Sequence, residues 1–324
     1  MNNNILILSA GRRVELVQKF KEARDELDIT GEIIAADMSE QASAIYHADK
    51  YEKLVHVKNS KYIDSLIELC NKHNISAIIP TIDTELPVLA NNKEKLEKTG
   101  TKVFISDQEV IDICNDKFNT YDFFLNNDID TPKLITDIEL EKENYNFPLF
   151  IKPKDGSSSE NTFKVNNQKE LDFFTDYVPE PIILDFIDGE EFTIDCFVDF
   201  EHNPISIVPR QRLATRGGEI SKGKIVLNDD IIAESKKIIE LLKPIGAITI
   251  QCIKDDNSIK FFEINPRFGG GSPISITAGA NSPEYIYRLL QGESLKEERD
   301  IKDGLVALRY DQAVFLDDSE VVKL

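Results

Sequence analysis

The chain has 324 residues, 41% of them hydrophobic and 30% charged, which allows a sizeable core and roughly two or three domains of an ordinary soluble protein. A formal charge of −20 argues against a nucleic-acid partner, which needs a basic footprint, and makes any local group of arginines something to be explained. Four scattered cysteines without a C-x-x-C pair and four dispersed histidines suggest neither a zinc site nor a disulfide framework. The opening MNNNILILSAG holds only four apolar residues in a row, too few for a signal peptide or membrane span, so a cytoplasmic protein is expected.

Short apolar runs at residues 5–8, 32–36, 54–57, 77–80 and 102–105 read as five strands. Helical periodicity lies between them, at 14–23, 62–70 and 86–96. Strands alternating with helices predict a parallel, doubly wound domain over residues 1–110. The first turn, Ser9-Ala10-Gly11-Arg12-Arg13, lacks the G-x-G-x-x-G spacing of a dinucleotide site, although Asp37 stands where a ribose-binding acid could be. Ligands of open sheets gather at the carboxyl ends of strands, which makes Arg12, Arg13, Asp83 and Glu85 candidates for contact with a small polar substrate. Asp83 would equally serve as a helix cap.

From Asp107 the texture changes. Residues 107–125 read as one helix carrying Asn115-Asp116-Lys117 in its middle. Residues 148–153 form a short apolar strand delivering Lys152, followed by a loop with Gly156, Ser157, Ser158 and Ser159. Small hydroxyl residues and a glycine after such a lysine suit backbone wrapping of phosphates, though most Ser-rich turns bind nothing. Residues 181–187 and 192–198 are apolar strands around Asp188-Gly189, where a hairpin is drawn. The strand at 205–208 leads into Arg210, Arg212 and Arg216, a cation cluster that favours anion binding in so acidic a chain. A helix at 229–245 follows, and later a helix at 283–291 and closing strands at 305–315.

The most informative stretch is QCIKDDNSIKFFEINPRFGGGSP, residues 251–273. Asp255 to Ser258 reads as a turn, so 247–254 and 259–265 should pair as a hairpin with Gln251 opposite Glu263 or one residue away. Glu263, Asn265 and Arg267 alternate on one face, with Phe262 and Ile264 expected in the core. One carboxylate and two amide oxygens form a hard-oxygen site suited to Mg2+, and Arg267 beside them could brace a phosphate or carboxylate. The same alternation also suits a solvated strand face.

Taken in order, these parts resemble the ATP-grasp superfamily, in particular the carbamoyl-phosphate-synthetase-like branch of carboxylate–amine ligases. The likeness covers essentially the whole chain, and FEINPRFGGG is its most specific piece. It implies an α/β protein with an α+β C-terminal part: a Rossmann-like pre-ATP-grasp domain (1–110), a lid subdomain (111–184) and a catalytic, metal-binding subdomain (185–324). It further implies that Lys117 and Lys152 grip the ATP phosphates and that Gly156, Ser157, Ser158 and Ser159 belong to the loop folding over them. By the same resemblance Leu184, Asp185, Phe186 and Ile187 form the adenine hinge and Glu191 holds the ribose. Gln251, Glu263 and Asn265 would bind one or two Mg2+ or Mn2+ ions, Arg267 would brace the reacting phosphoryl group, and Arg210 and Arg216 would meet the substrate. The sequence departs from the family pattern at Leu184-Asp185, where a Glu is usual, and at Asn161, where a Gly is usual.

The expected activity joins a small carboxylate, such as an amino acid, to an amine through an acyl phosphate, releasing ADP and phosphate. A non-catalytic nucleotide sensor or assembly subunit, and a kinase of a small carboxylate or carbamate, are the alternatives. Expected partners are the two small molecules, with no nucleic acid or membrane and with a homodimer left open.

Overall fold

The computed structural model describes residues 3–154 and 161–321. Strands β1 (Asn4–Ile7), β2 (Ile33–Asp37), β3 (Lys50–Lys53), β4 (Ile75–Ile79) and β5 (Lys102–Val103) form a parallel sheet in the order β3-β2-β1-β4-β5. Ile5, Ile7, Ile33 and Ala35 pack on one face, and Leu6, Leu8, Ile34 and Ala36 on the other. Covering both faces is what turns such strands into continuous apolar runs instead of alternating ones. The third strand is Lys50–Lys53, not 54–57. It lies at the sheet edge, largely exposed, and so carries no apolar run to betray it, while the buried Leu54 just follows it. The helix expected at 86–96 is two, Leu86–Asn91 and Lys93–Glu97, parted at Asn92.

The next layer is a three-stranded antiparallel sheet, β7-β6-β8, of β6 (Leu149–Pro153), β7 (Phe163–Val165) and β8 (Pro181–Asp185). Its own small core gathers Ile135, Leu149, Ile151, Val165, Leu171 and Ile183. A six-stranded sheet follows, made of β9 (Glu190–Val198), β10 (Pro204–Arg216), β11 (Glu219–Ile225), β12 (Gly246–Lys254), β13 (Ile259–Asn265) and β14 (Val306–Leu308). Its order is β13-β12-β9-β10-β11-β14. The expected hairpin around Asp188-Gly189 is therefore absent: β8 and β9 belong to different sheets, and the turn is the crossing between them. A Cβ at Gly189 would lie 2.5 Å from the Lys254 carbonyl oxygen, so only glycine lets the crossing pass that close to β12. Of the closing region 305–315, only Val306–Leu308 is a strand.

The parallel and six-stranded sheets share one core. Phe20 and Phe104 pack with Phe197, Phe268, Tyr285 and Tyr287 in a single cluster, and Phe20 meets Phe268 edge-on with ring centroids 6.0 Å apart. Full burial of one such ring stabilises by about 1.5–3 kcal/mol, so this seam holds the first sheet firmly against the second. Among the described residues no helix is long and apolar enough to cross a membrane.

Candidate active site

β12 and β13 pair with Gln251 directly opposite Glu263 and Thr249 opposite Asn265. One residue later the register slips, so that Cys252 faces Phe261 and Phe262 is the extra residue of a bulge. Bulges re-aim side chains beside active sites. Here Phe261 and Ile264 are buried in the core, whereas Phe262, expected there, turns toward a cavity containing Lys152. Asn265 Nδ2 donates to Glu263 Oε1 at 3.0 Å, and Gln251 Oε1 accepts from Arg212 Nη1 at 3.2 Å. Among the described residues no group of three or more His, Cys, Asp and Glu gathers so as to hold a metal ion. Gln251, Glu263 and Asn265 instead offer one carboxylate and two carboxamides from paired strands. That donor chemistry fits Mg2+.

The helix expected at 107–125 breaks at Asp116 into Gln108–Asn115 and Lys117–Asn126. Asp116 takes extended backbone and its carboxylate accepts from the Phe118 and Asn119 N–H groups, capping the second helix. Lys117 is thereby the first residue of a capped helix, and its Nζ donates to the Lys154 carbonyl at 2.9 Å. Lys152 comes from β6 and is 8% exposed. Burial pushes its pKa down to about 8; Glu263 opposes that fall and Lys117 adds to it. Its ammonium lies 5.8 Å from the Phe262 ring centroid.

Lys117, Lys152, residues 184–187, Glu191, Gln251 and Glu263 all line one cavity of about 370 Å3. Leu184 is buried, the Asp185 N–H donates to the Lys133 carbonyl and the Phe186 N–H to that of Pro148. These bonds fix the hinge backbone at the end of β8. Burial raises the Glu191 pKa, against the pull of Arg212, whose Nη1 lies 3.0 Å from Glu191 Oε1. The expected phosphate-loop residues Gly156, Ser157, Ser158 and Ser159 lie outside the described residues.

A second cavity of about 110 Å3 shares Gln251 and Glu263 with the first and is lined by Arg13, Arg210, Arg212, Asn265 and Arg267. Arg210 is 2% exposed, its Nε 3.1 Å from Asp195 Oδ2, which also accepts from Ser275 at 2.6 Å. Its Nη1 is buried without a hydrogen-bond partner. A Cβ at Gly271 would stand 2.6 Å from the Arg210 guanidinium carbon, so the glycine run makes room for this side chain. Arg212 bridges Gln251, Glu191 and the Gly218 carbonyl. A third cavity of about 350 Å3 shares Glu219 and Ile220 with the second and has Arg12, Arg216 and Arg309 on its walls. Arg216 is exposed there and forms a forked pair with Asp311 at 2.7 and 2.9 Å.

The N-terminal candidates separate. Asp83 makes no capping bond; its Oδ2 lies 2.6 Å from Arg267 Nη2. Glu85 departs from the expected substrate role. It is 1% exposed, and its Oε1 accepts from the Ser9 hydroxyl at 2.7 Å and the Tyr62 hydroxyl at 2.6 Å, tying the first and fourth strands' turns together. Asp37 likewise serves the fold, accepting from the Gly11 N–H at 2.8 Å. Arg13, expected with Arg12 near the substrate, pairs with Glu219 at 2.9 Å, and Arg309 lies 3.5 Å from Glu219; neither Glu219 nor Arg309 was expected at the site. These contacts span 206 and 90 residues, and no local pattern announces them. Arg212 had a signal, since it lies two residues from Arg210 on a strand and shares its face.

Residues 5–104 match the model of a PylC-like N-terminal domain, and residues 114–271 that of the ATP-grasp domain. The D-alanine--D-alanine ligase of Fusobacterium nucleatum is 27% identical over 164 residues, 47% of this chain and 56% of that one. The D-alanine--D-alanine ligase of Francisella tularensis is 25% identical over 199 residues, 55% of this chain and 67% of that one. The match thus spans only about half the length of the first of these relatives. Among solved structures, the biotin carboxylase domain of Hydrogenobacter thermophilus 2-oxoglutarate carboxylase, in complex with MgADP, ADP and bicarbonate, superposes with a TM-score of 0.73. That match has 17% identity and covers 94% of this chain and 73% of the other. N5-carboxyaminoimidazole synthetase from Staphylococcus aureus complexed with ADP gives 0.70 at 15% identity, covering 92% and 80%. At such identities these structures share the fold. With the family models matching residues on both sides of the Asp83–Arg267 contact, the chain belongs to the ATP-grasp superfamily and carries a PylC-like domain ahead of its ATP-grasp domain.

Proposed function

We propose that this chain is an ATP-dependent, ADP-forming ligase that joins a small carboxylate to an amine. The observation carrying this reading is the chain of cavities. The 370 Å3 cavity has two lysines, a strand-end hinge and an acid suited to a ribose, and it meets the 110 Å3 cavity at Gln251 and Glu263. ATP would lie with its adenine against residues 184–187, its ribose on Glu191 and its phosphates between Lys117 and Lys152. The carboxylate would occupy the smaller cavity, where Arg210, Arg212 and Arg13 on the wall supply cations for it.

A carboxylate oxygen attacks the γ-phosphorus, the bond from that phosphorus to the β,γ-bridging oxygen breaks, and ADP leaves with the electron pair. The amine lone pair then attacks the acyl carbonyl, phosphate departs, and the nitrogen loses a proton. Charge accumulates on the phosphoryl oxygens in the first step, and fixed cations lower that barrier. Lys152 on β6 and Arg267 just past the end of β13 supply them, held before substrate arrives. Mg2+, held by Glu263, Gln251 and Asn265, would neutralise the phosphates as a Lewis acid. Arg13, Arg210 and Arg212 orient the acid and the acyl group. The 350 Å3 cavity is the route for the amine. The three-part division at 1–110, 111–184 and 185–324 is proposed with this function. A branch like that of carbamoyl phosphate synthetase accords with Gln251 as a metal ligand.

The test is ADP and phosphate release from MgATP across a panel of amino acids and small carboxylates, alone and with amines, with Glu263→Ala as control. Release that requires one acid and one amine, and is lost by at least 100-fold in the variant, is expected. Release with an acid alone would replace the ligase by a kinase, and tight binding without turnover would replace it by a sensor.

A further inference from the structure

The residue proposed to brace the transferring phosphoryl group is oriented by the other half of the molecule. Arg267 follows β13 directly, and its Nη2 lies 2.6 Å from Asp83 Oδ2, 184 residues away in the turn after β4. Both side chains are largely shielded, at 13% and 26% exposure. Apart from Asp83, the guanidinium has a bond to the neighbouring Phe268 carbonyl at 3.2 Å and a long one to Asn265 Oδ1 at 3.5 Å. An arginine has four side-chain torsions to fix, and these two contacts from its own segment would leave its tip loosely held.

The Asp83 platform is rigid on both sides. Two residues earlier, Thr81 is fully buried and its hydroxyl sits 3.0 and 2.8 Å from the carbonyls of Leu8 and Ser9. Two residues later, Glu85 is held by Ser9 and Tyr62. On the Arg267 side, Phe268 is buried against Phe20 of the first helix. An apolar anchor and an ion pair therefore dock the end of the catalytic strand onto the N-terminal sheet at adjacent residues.

We propose that Asp83 is a positioning residue that holds Arg267 in the geometry needed by the transferring phosphoryl group, so that the N-terminal domain completes the phosphoryl site. This rests on the ATP-grasp reading of the site and goes beyond it, because Asp83 would touch neither nucleotide nor acid. A carboxylate that fixes a cation before charge develops stabilises the transition state more than the bound nucleotide.

The experiment compares binding of MgADP with binding of MgADP plus aluminium fluoride, a mimic of the phosphoryl in flight, by calorimetry on the full chain. Thermal unfolding is recorded for each variant. Asp83→Asn is expected to keep the MgADP Kd within about twofold and to weaken the aluminium fluoride complex at least tenfold. Asp83→Glu retains the charge and should recover to within about threefold of wild type. Equal weakening of both complexes in Asp83→Asn would reduce the pair to a structural tie and overturn the proposal. Unchanged binding of both would overturn it too, as would tighter aluminium fluoride binding, which would make Asp83 a restraint on Arg267. Should Asp83→Asn fail to fold, Asp83→Ser takes its place: a loss confined to the fluoride complex supports the role, and an equal loss in both complexes or none in either refutes it. Absence of MgADP binding by the wild type would instead sink the nucleotide reading itself.

Discussion

At the scale of single residues, the site is built by burying charges that water would otherwise stabilise. Lys152 is the clearest case, with its pKa depressed to about 8 from the ordinary 10.5, chiefly by burial. A shift of that size is worth on the order of 3 kcal/mol of destabilisation while the lysine stays charged. The sign follows from proton counting. Between about pH 8 and 10.5 the unfolded chain holds a proton that the folded chain has released, so stability rises with pH across that window. Below pH 8 the penalty is present in full. Lys152→Met should therefore be more stable than wild type in urea unfolding at pH 7, without nucleotide, by roughly 1–3 kcal/mol. That advantage should shrink through pH 8 to 10.5, while MgADP affinity falls. An advantage that grew with pH would show that burial does not strain this lysine. Arg210 illustrates the same design with a fixed partner: Asp195, itself held by Ser275, neutralises and orients it, and one nitrogen is buried without a partner.

At the scale of elements, what could be read from the sequence depended on whether the determinant was local. The hairpin of β12 and β13 was legible, because the Asp-Asp-Asn-Ser turn sets the register and places Gln251 opposite Glu263. The bulge at Phe262 was not, since alternation alone sends it to the core and only the neighbouring strand shows the slip. The edge strand β3 hid because exposure had removed its apolar signal. The hairpin expected at Asp188-Gly189 has only a bend at Gly189 and strands in two different sheets, because sheet membership is a long-range choice. The break at Asp116 was written locally, as an Asp ahead of a new helix, and it bears on function. Its cap fixes the first turn from which Lys117 reaches the cavity. Asp116 also lies 3.4 Å from Lys154 and has a lowered pKa. Burial opposes the lowering, which comes from the Phe118 and Asn119 N–H groups and then Lys154. Asp116→Ala should cost about 1 kcal/mol of stability, as lost caps do. It should also weaken MgADP roughly fivefold if the loosened turn passes that energy to Lys117. A stability loss with unchanged affinity would mean that the Lys154 carbonyl alone positions the lysine.

At the scale of the molecule, the question is whether the PylC-like and ATP-grasp parts are independent bodies or halves of one. The seam argues for one. Phe20 is fully buried and stands edge-on to both Phe268 and Tyr287, with centroids 6.0 and 6.5 Å apart, inside a cluster drawing residues from both sheets. Polar ties run parallel to it: Arg267 to Asp83, and Arg13 to Glu219, which Arg309 also approaches. Half-exposed pairs such as Arg13–Glu219 contribute little to stability, so the rings supply the coupling and the charges its alignment. Replacing a buried phenylalanine by alanine costs about 3–5 kcal/mol when the cavity cannot collapse. If the seam couples the two parts, Phe20→Ala should lower a single calorimetric transition as a whole and weaken the MgADP–aluminium fluoride complex more than MgADP, since Phe268 adjoins Arg267. If the parts are independent, the variant should split the transition, moving only the component of the N-terminal domain and leaving nucleotide binding untouched. The first outcome would mean that a domain supplying none of the proposed ATP ligands nonetheless completes the proposed phosphoryl site, since it would carry both the anchor and the carboxylate that set Arg267.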